Sequence, residues 1–174
     1  AVFTDPLFLH TLDVKHIIHG FAEIIKYGLI RDKNLYEEIV TDFSALIKLK
    51  DMAQMETIIA TCCEHKKSII LKDEFDQNNR MILNFGHTIG HAIESYFSYK
   101  KILHGEAVYH GMAAASFISH KLNYLSEKDF NKIKKFLKSI PKHDLNNIDI
   151  QKLFMLTQSD KKQLGNKKHF ILLN

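Results

Sequence analysis

Eleven histidines fall among the 174 residues. The most informative lie in one short stretch, Arg80-Met-Ile-Leu-Asn84-Phe-Gly-His87-Thr-Ile-Gly-His91, with His104-Gly-Glu106 close behind. Imidazole binds divalent metals through a neutral ring nitrogen and changes charge near neutral pH. His87 and His91 stand four apart, so on a helix both rings leave one face and can converge on a zinc ion. The same spacing also fits two histidines satisfied by backbone and water. Gly86 and Gly90 flank His87 without side chains, which lets a ligand or another backbone come close. His104 stands at a helix start, where unpaired backbone amides favour anions. Asn84 and Arg80 lie about one and two helical turns before His87. The set has the make-up of a metal site beside an anion site.

Other residues are plainer on local grounds. Glu23 and Lys26, three apart, read by themselves as an ion pair on a helix surface. Lys66 reads as a lysine laying its stem along an apolar stripe. His10, His16, His19, His65, His110, His120, His143 and His169 have no comparable context and are read as surface or satisfied core residues. Cys62 and Cys63 are the only cysteines. As neighbours on a helix they point too far apart for a mutual disulfide, and their apolar setting makes them small core residues without chemistry, in keeping with a reducing cytoplasm.

Holding these side chains requires helices. Two prolines and seven glycines leave few breaks, and apolar residues recur at three and four positions. A first helix is predicted from about Asp13, turning Val14, Ile17, Ile18, Phe21 and Ile25 inward and ending near Gly28 or Arg31. A longer one runs from about Met52 to Leu71 on a stripe of Met55, Ile58, Ile59, Cys62, Ile69 and Ile70. Helix resumes near Asn84 to Gly86 and continues through Ile89, Ile93 and Phe97, and another starts at His104, whose stretch Gly111 to Ser116 is small enough for a neighbouring helix to approach closely. Ser126-Glu-Lys-Asp129 is a helix start and Pro141 marks that helix's end. The tail, Lys168 to Leu173, has the pattern of a short strand. Ala1 to Pro6 reads as the end of a strand and a turn, as if from a longer polypeptide.

Composition narrows the classes. A length of 174 residues with 45% hydrophobic residues can fill one core, read as a single domain. The net charge of +4 is a mixture of both signs, so nucleic acid is not expected as a partner. The lysine run Lys132 to Lys138 is the solvated side of a helix that buries Phe130, Ile133, Phe136 and Leu137. No apolar run is long enough to span a membrane and no signal peptide is recognisable, so a soluble protein is expected.

Three segments in order, Gly20-Phe-Ala-Glu23-Ile-Ile-Lys26-Tyr-Gly, Arg80 through His91 to Glu94, and His104-Gly-Glu-Ala107, closely resemble the signature segments of 3-dehydroquinate synthase. The likeness runs from Asp5-Pro6 to Asp160-Lys-Lys162. It implies an all-α fold for residues 1–174, the C-terminal helical domain of the dehydroquinate synthase-like fold, with short strands at most at the termini. It also implies a zinc on Glu23, His87 and His104, and cobalt suits the same ligands. His91 then leaves the metal and becomes, with Lys26, a catalytic group on the substrate side. Lys26, Lys66, Arg80, Asn84, His91 and Lys161 (or its neighbour Lys162) form the implied substrate set, Arg80 and Lys66 for a carboxylate and Asn84, His91 and the tail lysine for a phosphate. Asp76 stands where the family has the longer glutamate.

The activity implied is conversion of a sugar acid phosphate, 3-deoxy-D-arabino-heptulosonate 7-phosphate, to 3-dehydroquinate and phosphate in the shikimate pathway, with NAD oxidising and then re-reducing a ring carbon. No glycine-rich dinucleotide fingerprint occurs in these residues. In the family an NAD-binding α/β domain precedes this segment, so the chain alone is expected to be inactive and the full-length protein a cytoplasmic homodimer. The alternatives are another sugar phosphate cyclase such as a 2-deoxy-scyllo-inosose synthase, a relative of the metal-dependent glycerol dehydrogenases, and a helical metal-binding module without catalysis.

Overall fold

Aspartate and serine side chains set several of the helix starts. In a computed structural model, described for residues 3–75, 79–158 and 170–174, Asp32 accepts a hydrogen bond from the Leu35 amide, Asp51 from Gln54 and Ser126 from Asp129. Each satisfies a donor that the first turn leaves unpaired. The helices are α1 (Val14–Ile30), α2 (Lys33–Leu46), α3 (Met52–Lys72), α4 (His87–Tyr96), α5 (His104–Lys121), α6 (Glu127–Ser139) and α7 (Ile150–Gln158). Two 3-10 segments, Pro6–Thr11 and Asn79–Asn84, precede α1 and α4. No strand occurs among the described residues. The described part of the tail, 170–174, has no regular secondary structure, and the Leu173 amide donates to the buried Ser119 hydroxyl on α5 at 2.9 Å. No described helix is long and apolar enough to cross a membrane.

The residues separate into two compact units, one ending at Leu83 and the other beginning at Asn84. The first holds α1, α2 and α3. Ile17, Ile18, Phe21 and Ile25 are buried on α1, while Val14 in its first turn is exposed. An isoleucine buried in this way contributes roughly 1.5–3 kcal/mol. Gly28 has no room for a side chain, because a Cβ there would stand 2.9 Å from the Cα of Tyr36. The α1–α2 turn is therefore tight. Asp32 does double duty in that turn, since its second oxygen takes a hydrogen bond from His65 Nε2 of α3 at 2.9 Å. Phe21 meets Phe43 edge to face at 5.5 Å, a favoured aromatic geometry.

In the second unit α4, α6 and the C-terminal residues gather around α5, and α7 packs on α4. Phe85, Ile93, Val108, Tyr109 and Met112 are almost wholly buried. The helix expected to start near Asn84 to Gly86 starts at His87; the 3-10 segment runs to Asn84, and Gly86 caps α4 at φ 75°, a left-handed conformation that glycine adopts at little cost. The contact of α4 with α5 leaves no space for a side chain at Gly111. A Cβ there would overlap the Gly86 carbonyl oxygen and stand 3.0 Å from the Gly90 amide nitrogen.

Two stability measurements follow. Gly111→Ala is expected to cost about 1–3 kcal/mol in denaturant unfolding, the scale of overpacking; a loss below about 0.5 kcal/mol would show that α4 and α5 part freely. Asp32→Ala should cost about 1 kcal/mol at neutral pH. The Leu35 amide, followed by His65, holds the Asp32 carboxyl below its ordinary range. Its stabilisation is thus complete above the unfolded value of about 3.9 and is lost as pH falls through the lower folded one. The gap between wild type and variant should shrink below about pH 4 and not above it.

Candidate metal centre

The close approach at Gly111 packs the start of α4 against α5. His87 is the first residue of α4 and His104 the first of α5, and their ring centroids lie 5.3 Å apart. His91, one turn along α4, completes a triangle, 5.5 Å from His87 and 6.0 Å from His104. Spacing alone paired His87 with His91, whereas the fold brings all three imidazoles together.

Two of the rings are oriented by oxygen. His87 Nδ1 lies 3.1 Å from the Phe85 carbonyl, which can only accept, so that nitrogen carries the proton and the lone pair is on Nε2. His104 Nδ1 lies 3.2 Å from both carboxylate oxygens of Glu94, with the same consequence. This is the arrangement of metal-binding histidines, in which one nitrogen donates to a supporting oxygen and the other binds. One ligand atom from each of His91, Glu94 and His104 lies within 4.8 Å of the others. The donor chemistry fits a zinc-like ion, which takes imidazole nitrogen and carboxylate oxygen.

In the first unit Glu23 and Lys26 form a 2.6 Å ion pair on α1. The surface reading does not describe it, because the Lys26 side chain is only 5% exposed and that of Glu23 39%. The ammonium also stands 5.4 Å from the Tyr27 ring centroid. Burial, then the Glu23 carboxylate, push the Tyr27 phenol up to about 12, so it stays protonated. Lys66 is exposed on α3. Arg80 donates from its guanidinium to the Glu74 carbonyl at 3.0 Å and from its amide to Asp73. Asn84 is half-buried at the end of the 3-10 segment. Asp76, Lys161 and Lys162 lie outside the described residues.

Sequence reasoning missed the work of Glu94, although its place three residues after His91 and seven after His87 sets it on their side of α4. It also missed Glu106, a buried carboxylate that accepts from the His143 amide and from His143 Nδ1 at 2.8 Å. That contact spans 37 positions and leaves no local pattern. Both cysteines are free; half-buried Cys62 has the inert character expected, its thiol pushed up to about 12 by burial, but Cys63 is exposed and is not the core residue expected.

Residues 20–163 match the family model described as 3-dehydroquinate synthase C-terminal. The chain is 41% identical over 175 residues to the 3-dehydroquinate synthase of Clostridium acetobutylicum, covering 99% of this chain and 48% of that protein. It is also 41% identical to the one from Thermoanaerobacter sp., covering 98% and 48%. It thus spans about half the length of the curated relatives it matches. Among solved structures it is similar to a 2-deoxy-scyllo-inosose synthase complexed with carbaglucose-6-phosphate, NAD+ and Co2+, at 28% identity and a TM-score of 0.76 over 97% of this chain and 46% of that one. A 2-epi-5-epi-valiolone synthase from Streptomyces hygroscopicus, 24% identical with a TM-score of 0.76 over 88% and 43%, shares the fold.

The half-buried ion pair makes its own prediction. Glu23→Ala leaves the Lys26 ammonium without its carboxylate and should destabilise by about 2 kcal/mol, while Lys26→Met, which removes the buried charge itself, should be nearly neutral. Equal losses in thermal unfolding would show that the ammonium is not the costly partner.

Proposed function

The chain belongs to the 3-dehydroquinate synthase C-terminal family, and from that premise we propose that the full-length protein is a 3-dehydroquinate synthase whose metal- and substrate-binding helical half lies in these residues. The observation that supports it best is the His87, His91 and His104 triangle, with Nδ1 of two rings held by supporting oxygens. In this reading Glu23, His87 and His104 hold a zinc or cobalt ion, and the NAD-binding α/β domain precedes residue 1. One carboxylate and two imidazoles neutralise half the charge of the ion and leave positions for substrate oxygens. The protein works as a homodimer in the cytoplasm.

When bound, the metal supplies a Lewis acid at a ring hydroxyl and NAD a reversible hydride acceptor. The remaining work belongs to side chains. Arg80 and Lys66 bind the substrate carboxylate, the guanidinium through two parallel hydrogen bonds. Asn84, His91 and Lys161 bind the phosphate. Lys26, fixed by Glu23 and lying over Tyr27, is a cation of restricted motion, suited to hold a substrate oxygen in one place. Catalysis then rests on positioning and charge more than on a protein nucleophile.

The test is phosphate release by the full-length protein with zinc and NAD, expected at about 1 to 10³ per second and abolished by chelation. Arg80→Ala should lower kcat/KM by about 10² or more. An effect below about twofold would leave Arg80 with only its structural bonds to Glu74 and Asp73. Equal turnover of a sugar phosphate lacking the carboxylate would point instead to a cyclase of the 2-deoxy-scyllo-inosose synthase kind, the type seen among the structural neighbours.

A further inference from the structure

The imidazole of His104 is exposed on its outer side, while the carboxylate beneath it is not: the side chains are 48% and 11% exposed. Glu94 sits in the last turns of α4, beside an apolar cluster of Ile93, Ile102 and Ala107. A carboxylate so placed needs partners, since burying one uncompensated costs several kcal/mol. Its two oxygens are equidistant, at 3.2 Å, from His104 Nδ1. The contact joins α4 to the first residue of α5, where helical geometry alone does not fix the ring.

We propose that Glu94 is a positioning residue for the metal centre, accepting the Nδ1 proton of His104 and thereby holding Nε2 as the nitrogen that meets the ion. Glu94 is close enough to His91 and His104 to be a ligand itself, but a carboxylate engaged by Nδ1–H with both oxygens is occupied in orienting the ring. Its charge also makes His104 a stronger donor. The inference builds on the metal-site reading above, and part of its test does not depend on that reading.

The experiment uses the full-length protein and the variants Glu94→Gln and Glu94→Ala. In the metal-free protein at about pH 8, nitrogen-15 spectra should show His104 as the Nδ1–H tautomer in wild type, and as mainly the Nε2–H tautomer in Glu94→Ala. With Co2+ as the probe, metal affinity should fall about 10-fold to 100-fold in the variants, least in Glu94→Gln, which keeps an acceptor oxygen. The cobalt absorption spectrum and one-to-one stoichiometry should stay as in wild type. A wild-type His104 carrying its proton on Nε2 overturns the proposal whether or not metal binds. So does an affinity unchanged within about twofold, or a cobalt spectrum in Glu94→Ala that has lost a ligand. If Glu94→Ala fails to fold, Glu94→Gln carries the affinity arm and wild type the tautomer arm. Failure of wild type to bind Co2+ would instead sink the metal-site reading, with the tautomer still deciding the role of Glu94.

Discussion

The second unit is organised by a contact in which no side chain takes part. Gly111 of α5 lies against the Gly86 carbonyl and the Gly90 amide, closer than any Cβ would permit. A pair of helices separated by ordinary side chains keeps its axes 8–10 Å apart; at Gly111 the backbone of one reaches the start of the other. His87 begins α4 at this contact, and His104 begins α5 about two turns before Gly111. Moving the helices apart by one methyl group would act directly on a centroid spacing of 5.3 Å.

That crossing has an electrostatic consequence. The first turns of α4 and α5 leave backbone amides without helical partners and carry the positive ends of both helix dipoles. Anions are favoured in such a place. The fixed charges nearby are carboxylates, Glu94 under His104 and Glu106 two residues further along α5. Glu106 is turned away to the segment after α6, where it binds His143. Around it, His110 is held below the ordinary imidazole range by burial and then by Lys142, and Lys142 below its own range by burial. The two acids thus divide their work, one orienting an imidazole at the crossing and the other fixing a loop.

Much of this was legible in the sequence because the periodic signal is long. α1, α3, α5 and α6 fall where apolar spacing, Asp13, Ser126 and Pro141 put them. The closeness of α4 to α5 was legible too, since glycine at 86, 90 and 111 has few other uses in helical surroundings. The start of α4, expected near Asn84 to Gly86, falls at His87. What was not legible is the turn before it: the apolar residues Met81, Ile82, Leu83 and Phe85 give no sign of the φ of 75° at Gly86, where a Cβ would also overlap Met112. In the described part of the tail, 170–174, the expected strand does not form, as the Leu173 amide finds a serine hydroxyl in place of a neighbouring strand.

The candidate site divides along the same line. Residue type and order pointed to His87, His91 and His104, but spacing by itself favoured the i, i+4 pair, since sequence reports which side chains share a face and not which nitrogen faces out. That choice rests on the atoms behind each ring. Phe85 supplies a carbonyl from the turn that Gly86 creates, and Glu94 supplies a carboxylate from two turns along α4. The Phe85 carbonyl carries no sign in the sequence, and although spacing sets Glu94 on the His87 and His91 side of α4, its bond to His104 exists only once α4 and α5 have packed. The orientation of the imidazoles is therefore a property of the packed helices, and the glycines that allow the packing belong to the chemistry of the site as much as the histidines do.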